Sequence, residues 1–135
     1  MIAIIAVIAG IAIPSYGDYR ARALNAQARA DIVLIDTQIA RYEVTTNGGM
    51  PDSLDQVGGA PLDPWGNPYQ FLNLRDPANL HDARMDHNLH PINTDYDLYS
   101  MGPDGRSVKP LTGAPSRDDI IRGRNGRFIG VATDF

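Results

Sequence analysis

The chain has 135 residues, with 12 Lys and Arg against 16 Asp and Glu, a net charge of −4 and an isoelectric point near 5.1. That length suits one domain with at most one protruding element, and the acidic balance gives no electrostatic reason to bind nucleic acid. With no cysteine no disulfide can staple the fold, and the 13 Gly and 10 Pro fall mostly after residue 47, which predicts a regular first third and a loop-rich remainder.

Residues 1–13, MIAIIAVIAGIAI, carry no polar or charged side chain and require an apolar environment. As helix they rise only about 20 Å, short of the roughly 30 Å hydrocarbon core of a bilayer. A signal-peptide apolar region or a buried core helix would be the ordinary explanations. A signal peptide, however, has a basic start and a small-residue cleavage site beyond the apolar run. This chain starts inside the run, and PSYGDYRARALNAQARAD continues a helical pattern after it. The expectation is that the sequence begins partway through a longer hydrophobic segment.

From Tyr19 to about Asn47 the pattern is that of an amphipathic helix. Leu24, Ala28, Ile32, Ile35, Ile39 and Tyr42 recur at spacings of three and four, on one face. Alanine through residues 21–30 favours helix and close backbone approach. Asn47-Gly48-Gly49, then Pro51, is a stop signal: glycine reaches the left-handed conformation at the C-terminal cap and proline cannot continue the helix. Residues 1–47 then form one helix roughly 70 Å long, longer than the domain the rest of the chain can build. Its first half must protrude and be covered by membrane or by sister helices. Gly10 and Pro14 interrupt this stretch, since proline removes a backbone hydrogen bond and crowds the carbonyl four residues back. A kink is expected there, or local melting around residues 6–14 that lets the subunit stretch during assembly.

After the helix, Asp63-Pro64 and Gly66-Asn67-Pro68 carry turn chemistry around Trp65, the single Trp. Tyr69–Leu72 and Tyr96–Ser100 read as short strands, the second alternating with period two, and residues 126–131 as a last strand. Trp65, Tyr69, Tyr96 and Tyr99 are the expected packing residues of the head. Fold class is α+β: a long protruding N-terminal helix packed on a small antiparallel sheet with long loops. Residues 1–26 form the apolar helix and 27–135 the head.

The segment MIAIIAVIAGIAIPSYGDYRARA closely resembles the N-terminal helix of type IV pilins and type II secretion pseudopilins. A second match, Leu62-Asp63-Pro64-Trp65-Gly66-Asn67-Pro68-Tyr69 followed by Asp95-Tyr96-Asp97-Leu98-Tyr99-Ser100-Met101-Gly102-Pro103-Asp104-Gly105, resembles the major pseudopilin of the type II secretion system. The resemblance implies a pilin-like fold and a structural, non-enzymatic role. Ile2, Ile4, Ile5, Val7, Ile8, Ile11, Ile13 and Pro14 would then pack the core of a helical homopolymer. It also implies inner-membrane residence before assembly and a periplasmic or extracellular filament after it. The implied partners are an assembly ATPase, a platform protein, a prepilin peptidase and a secretin. The family's mature chain starts further upstream with a glutamate near its beginning; that glutamate, the basic leader and the cleavage site have no counterpart in the sequence given.

Asp104, Ser116, Asp118 and Asp119 bracket a loop, residues 105–117, of low apolar content. Hard oxygen ligands on an irregular loop suit calcium. The resemblance implies that calcium orders this loop, with Asp104 and Asp119 as ligands, Asp118 and Ser116 as further ones, and Leu111 supplying a backbone carbonyl. Arg106, Lys109 and Arg117 offer a different solution, direct salt bridges in place of calcium. Asp118 could instead cap a short helix over 119–123.

His81, His87 and His90 lie in residues 72–94 beside Asp76, Asp82 and Asp86, where the chain is longer than the corresponding family connection. His and Asp can bind a transition metal, but without cysteine or a His-Glu-x-x-His spacing a solvated surface insertion is the expectation. The rival reading from this cluster is a membrane-anchored periplasmic binding module or metal-dependent hydrolase. No nucleophile elbow, phosphate loop or haem-attachment motif is present. Arg20, Arg22 and Arg29 alternate with Asp18, Asp31 and Asp36 as a solvated helix face, as pairs between subunits, or against anionic headgroups.

Overall fold

The computed structural model describes the backbone of residues 2–135 and the side chains from Tyr16 onward. The packing expected of Ile2, Ile4, Ile5, Val7, Ile8, Ile11, Ile13 and Pro14 lies outside the described side chains. One helix, α1, spans Ile2–Thr45 and is unbroken through Gly10 and Pro14. It ends where the sequence placed its stop. The Thr45 hydroxyl donates to the Arg41 carbonyl at 3.0 Å, and Asn47 and Gly48 turn left-handed at φ 55° and 92°. The Gly48 amide then closes on the Glu43 carbonyl at 2.7 Å, capping the last turn. Among the described residues no helix is long and apolar enough to cross a membrane.

Four short strands follow: β1 (Gln70–Asn73), β2 (Tyr96–Ser100), β3 (Ile120–Gly123) and β4 (Phe128–Val131). They form one antiparallel sheet in the order β1-β2-β3-β4, with Phe71 opposite Leu98, Tyr99 opposite Ile121 and Ile121 opposite Gly130. The chain is therefore α+β, one long helix on a small antiparallel sheet. β3 takes the place of the short helix that Asp118 could have capped. Ile120 and Ile121 are β-branched and each buries on an opposite face of the sheet, which a helical turn would not allow.

The second half of α1 lies on one face of the sheet. Ala28, Ile32, Ile35 and Ile39 are fully buried there against Tyr69, Tyr96, Leu98 and Ile120, with Trp65, Phe71 and Val131 around them. Each of these isoleucines contributes about 1.5–3 kcal/mol by leaving water. Leu24 and Tyr42, at the ends of the stripe, are half-buried. The helix is held in register by polar contacts that the sequence did not disclose. Asp31 accepts a hydrogen bond from the Tyr69 hydroxyl at 2.7 Å, and Asp36 accepts from the Tyr96 hydroxyl and from Arg122 Nε, the latter at 2.6 Å. Asp31 and Asp36 therefore belong to the helix–head interface and not to a solvated face. Arg122 also forks onto both carboxylate oxygens of Asp95 at 2.9 and 2.8 Å and lies over the Tyr96 ring at 3.9 Å.

The other face of the sheet carries a second cluster, Ile92, Leu111, Ile121 and Ala132, flanked by Tyr99, Phe128 and Phe135. This explains why β2 buries residues on both sides and does not alternate between core and solvent. The cover comes from residues 74–95 and 101–119, the connections that enter and leave β2. Segment 72–94 is thus only in part a solvated insertion: Leu74, Ala83, Arg84, Ile92 and Asn93 are buried, while residues 75–78 and 80–82, and 87–90 with His87 and His90, stay exposed. Ile92 of this segment covers sheet surface on the face opposite the helix.

Candidate metal centre

The site starts from a turn. After β2 the chain reverses through Met101–Gly105, with Gly102 at φ +68° and Gly105 at φ +64°. A Cβ on Gly102 would stand 2.4 Å from the Asp118 carbonyl oxygen, so only glycine lets the two strands of backbone approach. The approach brings the Asp104 amide onto Asp118 Oδ2 at 3.1 Å, and the Asp104 carboxylate folds back to accept the Arg106 amide at 2.8 Å.

Asp104, Asp118 and Asp119 each offer one carboxylate oxygen, and the three oxygens lie within 4.8 Å of one another. Asp104 is exposed, Asp118 half-buried and Asp119 completely buried. On Asp119, Oδ2 receives Arg84 Nη2 at 2.9 Å and the Ser107 hydroxyl at 2.5 Å. Oδ1 of Asp119 and Oδ1 of Asp118 are both buried with no hydrogen-bond partner. Burial pushes the Asp119 carboxyl up to about 6, against the opposing pull of Ser107 and Arg84, and burial likewise raises Asp118. Three carboxyls thus gather where one guanidinium pairs with Asp119 alone, and two of their oxygens are buried and unsatisfied. A hard cation taking oxygen ligands at about 2.3–2.6 Å satisfies such oxygens and offsets the excess charge. The donor set therefore fits calcium, with Asp104, Asp118 and Asp119 as its carboxylates.

Ser116 and Leu111 shape the loop around these acids. The Ser116 hydroxyl accepts the Val108 amide at 2.8 Å and donates to the Val108 carbonyl at 2.6 Å. Leu111 places its side chain in the second cluster while its amide donates to the Met85 carbonyl at 2.8 Å. Arg106, Lys109 and Arg117 do not supply the cluster's ion pair among the described residues. Lys109 reaches Asp82 at 2.8 Å, and Arg117 Nε donates to the Thr112 carbonyl at 3.1 Å. The ion pair on the acids comes from Arg84, which lies 35 positions from Asp119 in the chain. A lone arginine between Ala83 and Met85 gives no periodic or motif signal, so sequence reasoning missed it. Ser107 was missed for the same reason.

The histidines are dispersed. His81 pairs with Asp82 at 3.1 Å and His87 with Asp86 at 3.0 Å, both on the surface. His87 borders a hollow of about 280 Å³ with Asp86, Leu111, Arg117 and Phe135, and no second histidine lines it.

The two sequence motifs meet in space. Asp63 is buried and organises the Trp65 turn: Oδ1 accepts the amides of Trp65 and Asn67 at 3.1 and 2.8 Å. Its Oδ2 accepts the Ser100 hydroxyl at 2.7 Å, and the Asn67 side chain lies beside Gly105 of the Asp104 turn. Trp65 and Tyr69 pack on the helix side, as does Tyr96, whereas Tyr99 lies on the opposite side under Arg84, whose guanidinium is 4.0 Å from its ring centroid. Set against family models, curated proteins and solved structures, the chain matches none of them.

Proposed function

We propose that this chain is a type IV filament subunit of pilin or major-pseudopilin kind, polymerising through the first half of α1, with no chemical step of its own. The observation that carries the proposal is the mismatch between helix and head. α1 runs 44 residues, about 66 Å, yet among its described side chains, from Tyr16 onward, the first that is buried is Ala28, and residues 16–23 are all exposed. A helix that opens with the run IAIIAVIAGIAI and is exposed over residues 16–23 calls for cover of that run by membrane lipid or by other copies. The driving term is burial of apolar helix surface between sister subunits, at about 25 cal/mol per Å².

In this reading subunits wait in the inner membrane after processing by a prepilin peptidase. An assembly ATPase and a platform protein then draw them into the fibre, which works in the periplasm against a secretin or extends from the cell surface. Residues 6–14, helical in the single subunit, melt on assembly around Gly10 and Pro14. Calcium held by Asp104, Asp118 and Asp119 neutralises the buried carboxyls and ties the loop 105–117 to the sheet. Chelation is expected to lower the melting temperature by several degrees, since a cation at 100-fold excess over its Kd contributes about 2.7 kcal/mol. An unchanged melting temperature would remove calcium from the account.

The test of the filament itself is Ile8→Asp. The substitution is expected to abolish fibre formation while the head keeps its near-ultraviolet circular dichroism, because a carboxylate in the apolar helix core has no partner. Wild-type fibre yield from that variant contradicts the proposal. The rival, an anchored hydrolase or binding module, needs metal on His81, His87 and His90, which stand apart on the surface.

A further inference from the structure

We infer that Arg84 is the positioning residue of the cation site, and that cation loading and docking of residues 76–92 onto the sheet are one linked equilibrium. The inference rests on the calcium reading above. The observation behind it is that one buried carboxylate has two faces. Asp119 Oδ2 is held by Arg84 at 2.9 Å and Ser107 at 2.5 Å, while its Oδ1 is buried without a partner, and a carboxylate oxygen of Asp119 lies within 4.8 Å of one from each of Asp104 and Asp118.

Arg84 is itself locked in place. Its guanidinium lies over the Tyr99 ring at 4.0 Å and donates from Nη1 to Ser107 Oγ at 2.6 Å. Its amide donates to Asp97 Oδ2 at 2.8 Å, and its carbonyl accepts the Ile92 amide at 3.1 Å. With its main chain pinned on both sides and its guanidinium stacked on Tyr99 and bonded to Ser107, Arg84 selects one orientation of the Asp119 carboxylate. Residues 76–92 also grip the loop directly. Met85 donates to the Lys109 carbonyl at 3.2 Å and accepts from Leu111 at 2.8 Å, and Lys109 Nζ donates to the His81 carbonyl at 2.7 Å. The loop 105–117 is therefore clamped by the acids at its base and by residues 76–92 along its length.

Linkage follows from this arrangement. Without a cation the three acids lie together with a guanidinium on Asp119 alone, and opening the loop relieves the desolvation of Asp118 and Asp119. A cation on Asp118 and Asp119 removes that incentive, so it also holds the Arg84–Asp119 pair and the segment that carries Arg84. Coupling of this kind is reciprocal. Groups that orient metal ligands commonly cost about 10–100-fold in metal affinity when removed. Pure charge repulsion predicts the opposite sign, because a guanidinium near a cation should weaken its binding.

The experiment uses the full chain in detergent micelles, with calcium binding by isothermal titration calorimetry and amide exchange by mass spectrometry, in calcium and in chelator. Calcium is expected to slow exchange in 76–92 and 105–117 together. Arg84→Met is expected to weaken calcium binding about tenfold or more and to abolish the effect of calcium on 76–92. Arg75→Met, in an exposed pair with Glu43 away from the site, is expected to leave both unchanged. Equal or tighter calcium binding by Arg84→Met overturns the inference, as does calcium protecting 105–117 with 76–92 unaffected. Should Arg84→Met not fold, the exchange pattern of the wild-type chain decides alone. A wild-type chain that binds no calcium removes this inference and the cation site, while the filament proposal stands or falls on Ile8→Asp.

Discussion

The two faces of the sheet are closed by different physics. On the helix side, α1 presents a regular stripe whose spacing matches the sheet, and Ala28, Ile32, Ile35 and Ile39 vanish from solvent together. On the far side the described residues supply no α-helix, only short 3-10 turns such as Pro77–Asp82 and Ala132–Asp134. Irregular chain covers Ile92, Leu111, Ile121 and Ala132, and polar hooks on Arg84, Ser107, Ser116 and Asp119 hold it down. The first face derives its stability from area, which tolerates any hydrophobic side chain of suitable volume. The second depends on individual hydrogen bonds, and it has two carboxylate oxygens unfilled. A small sheet with one helix and no disulfide needs such a device if both faces are to be dry.

The sharpest break in this comparison comes from the helix side. Ile35→Ala is expected to cost about 2–5 kcal/mol in chemical denaturation, through lost transfer energy and a cavity between helix and sheet. Arg122→Met should cost about 2–3 kcal/mol, because Asp36 and Asp95 lose their partner at the margin of the core. On the loop side Gly102→Ala is expected to cost about 2 kcal/mol, from the left-handed φ and the contact with the Asp118 carbonyl. It should also weaken calcium binding, read by calorimetry, whereas Ile35→Ala should not. Smallest is the simultaneous replacement of His81, His87 and His90 by Ala, with an expected change under about 0.5 kcal/mol and unaltered calcium affinity. Loss of a bound transition metal in that variant would favour the rival reading.

What could be read from the sequence follows the same division. The helix, its buried stripe and its stop at Asn47-Gly48 were legible because helical periodicity and cap chemistry are local signals. β2 was legible from the period-two alternation of Tyr96, Leu98 and Ser100 with Asp97 and Tyr99, although both of its faces are covered. β3 was hidden because Ile120-Ile121 is too short to distinguish strand from helical turn, and only pairing with β2 and β4 decides it. The acids of the candidate site stood out as a cluster at 104 and 118–119. Their organiser, Arg84, did not, since it acts across the fold from a segment with no pattern. For the same reason Asp31 and Asp36 looked like surface charges: their partners, Tyr69, Tyr96 and Arg122, lie far along the chain.

The central claim is that the apolar first half of α1 is buried by other copies of this chain. Its most direct test is electron microscopy of material sheared from cells and of the retained envelope, with mass spectrometry to identify this chain in any fibre. The account predicts fibres built from this chain, on the surface for a pilus or confined to the envelope for a secretion pseudopilus. A chain recovered only as a soluble monomer in both fractions would contradict it.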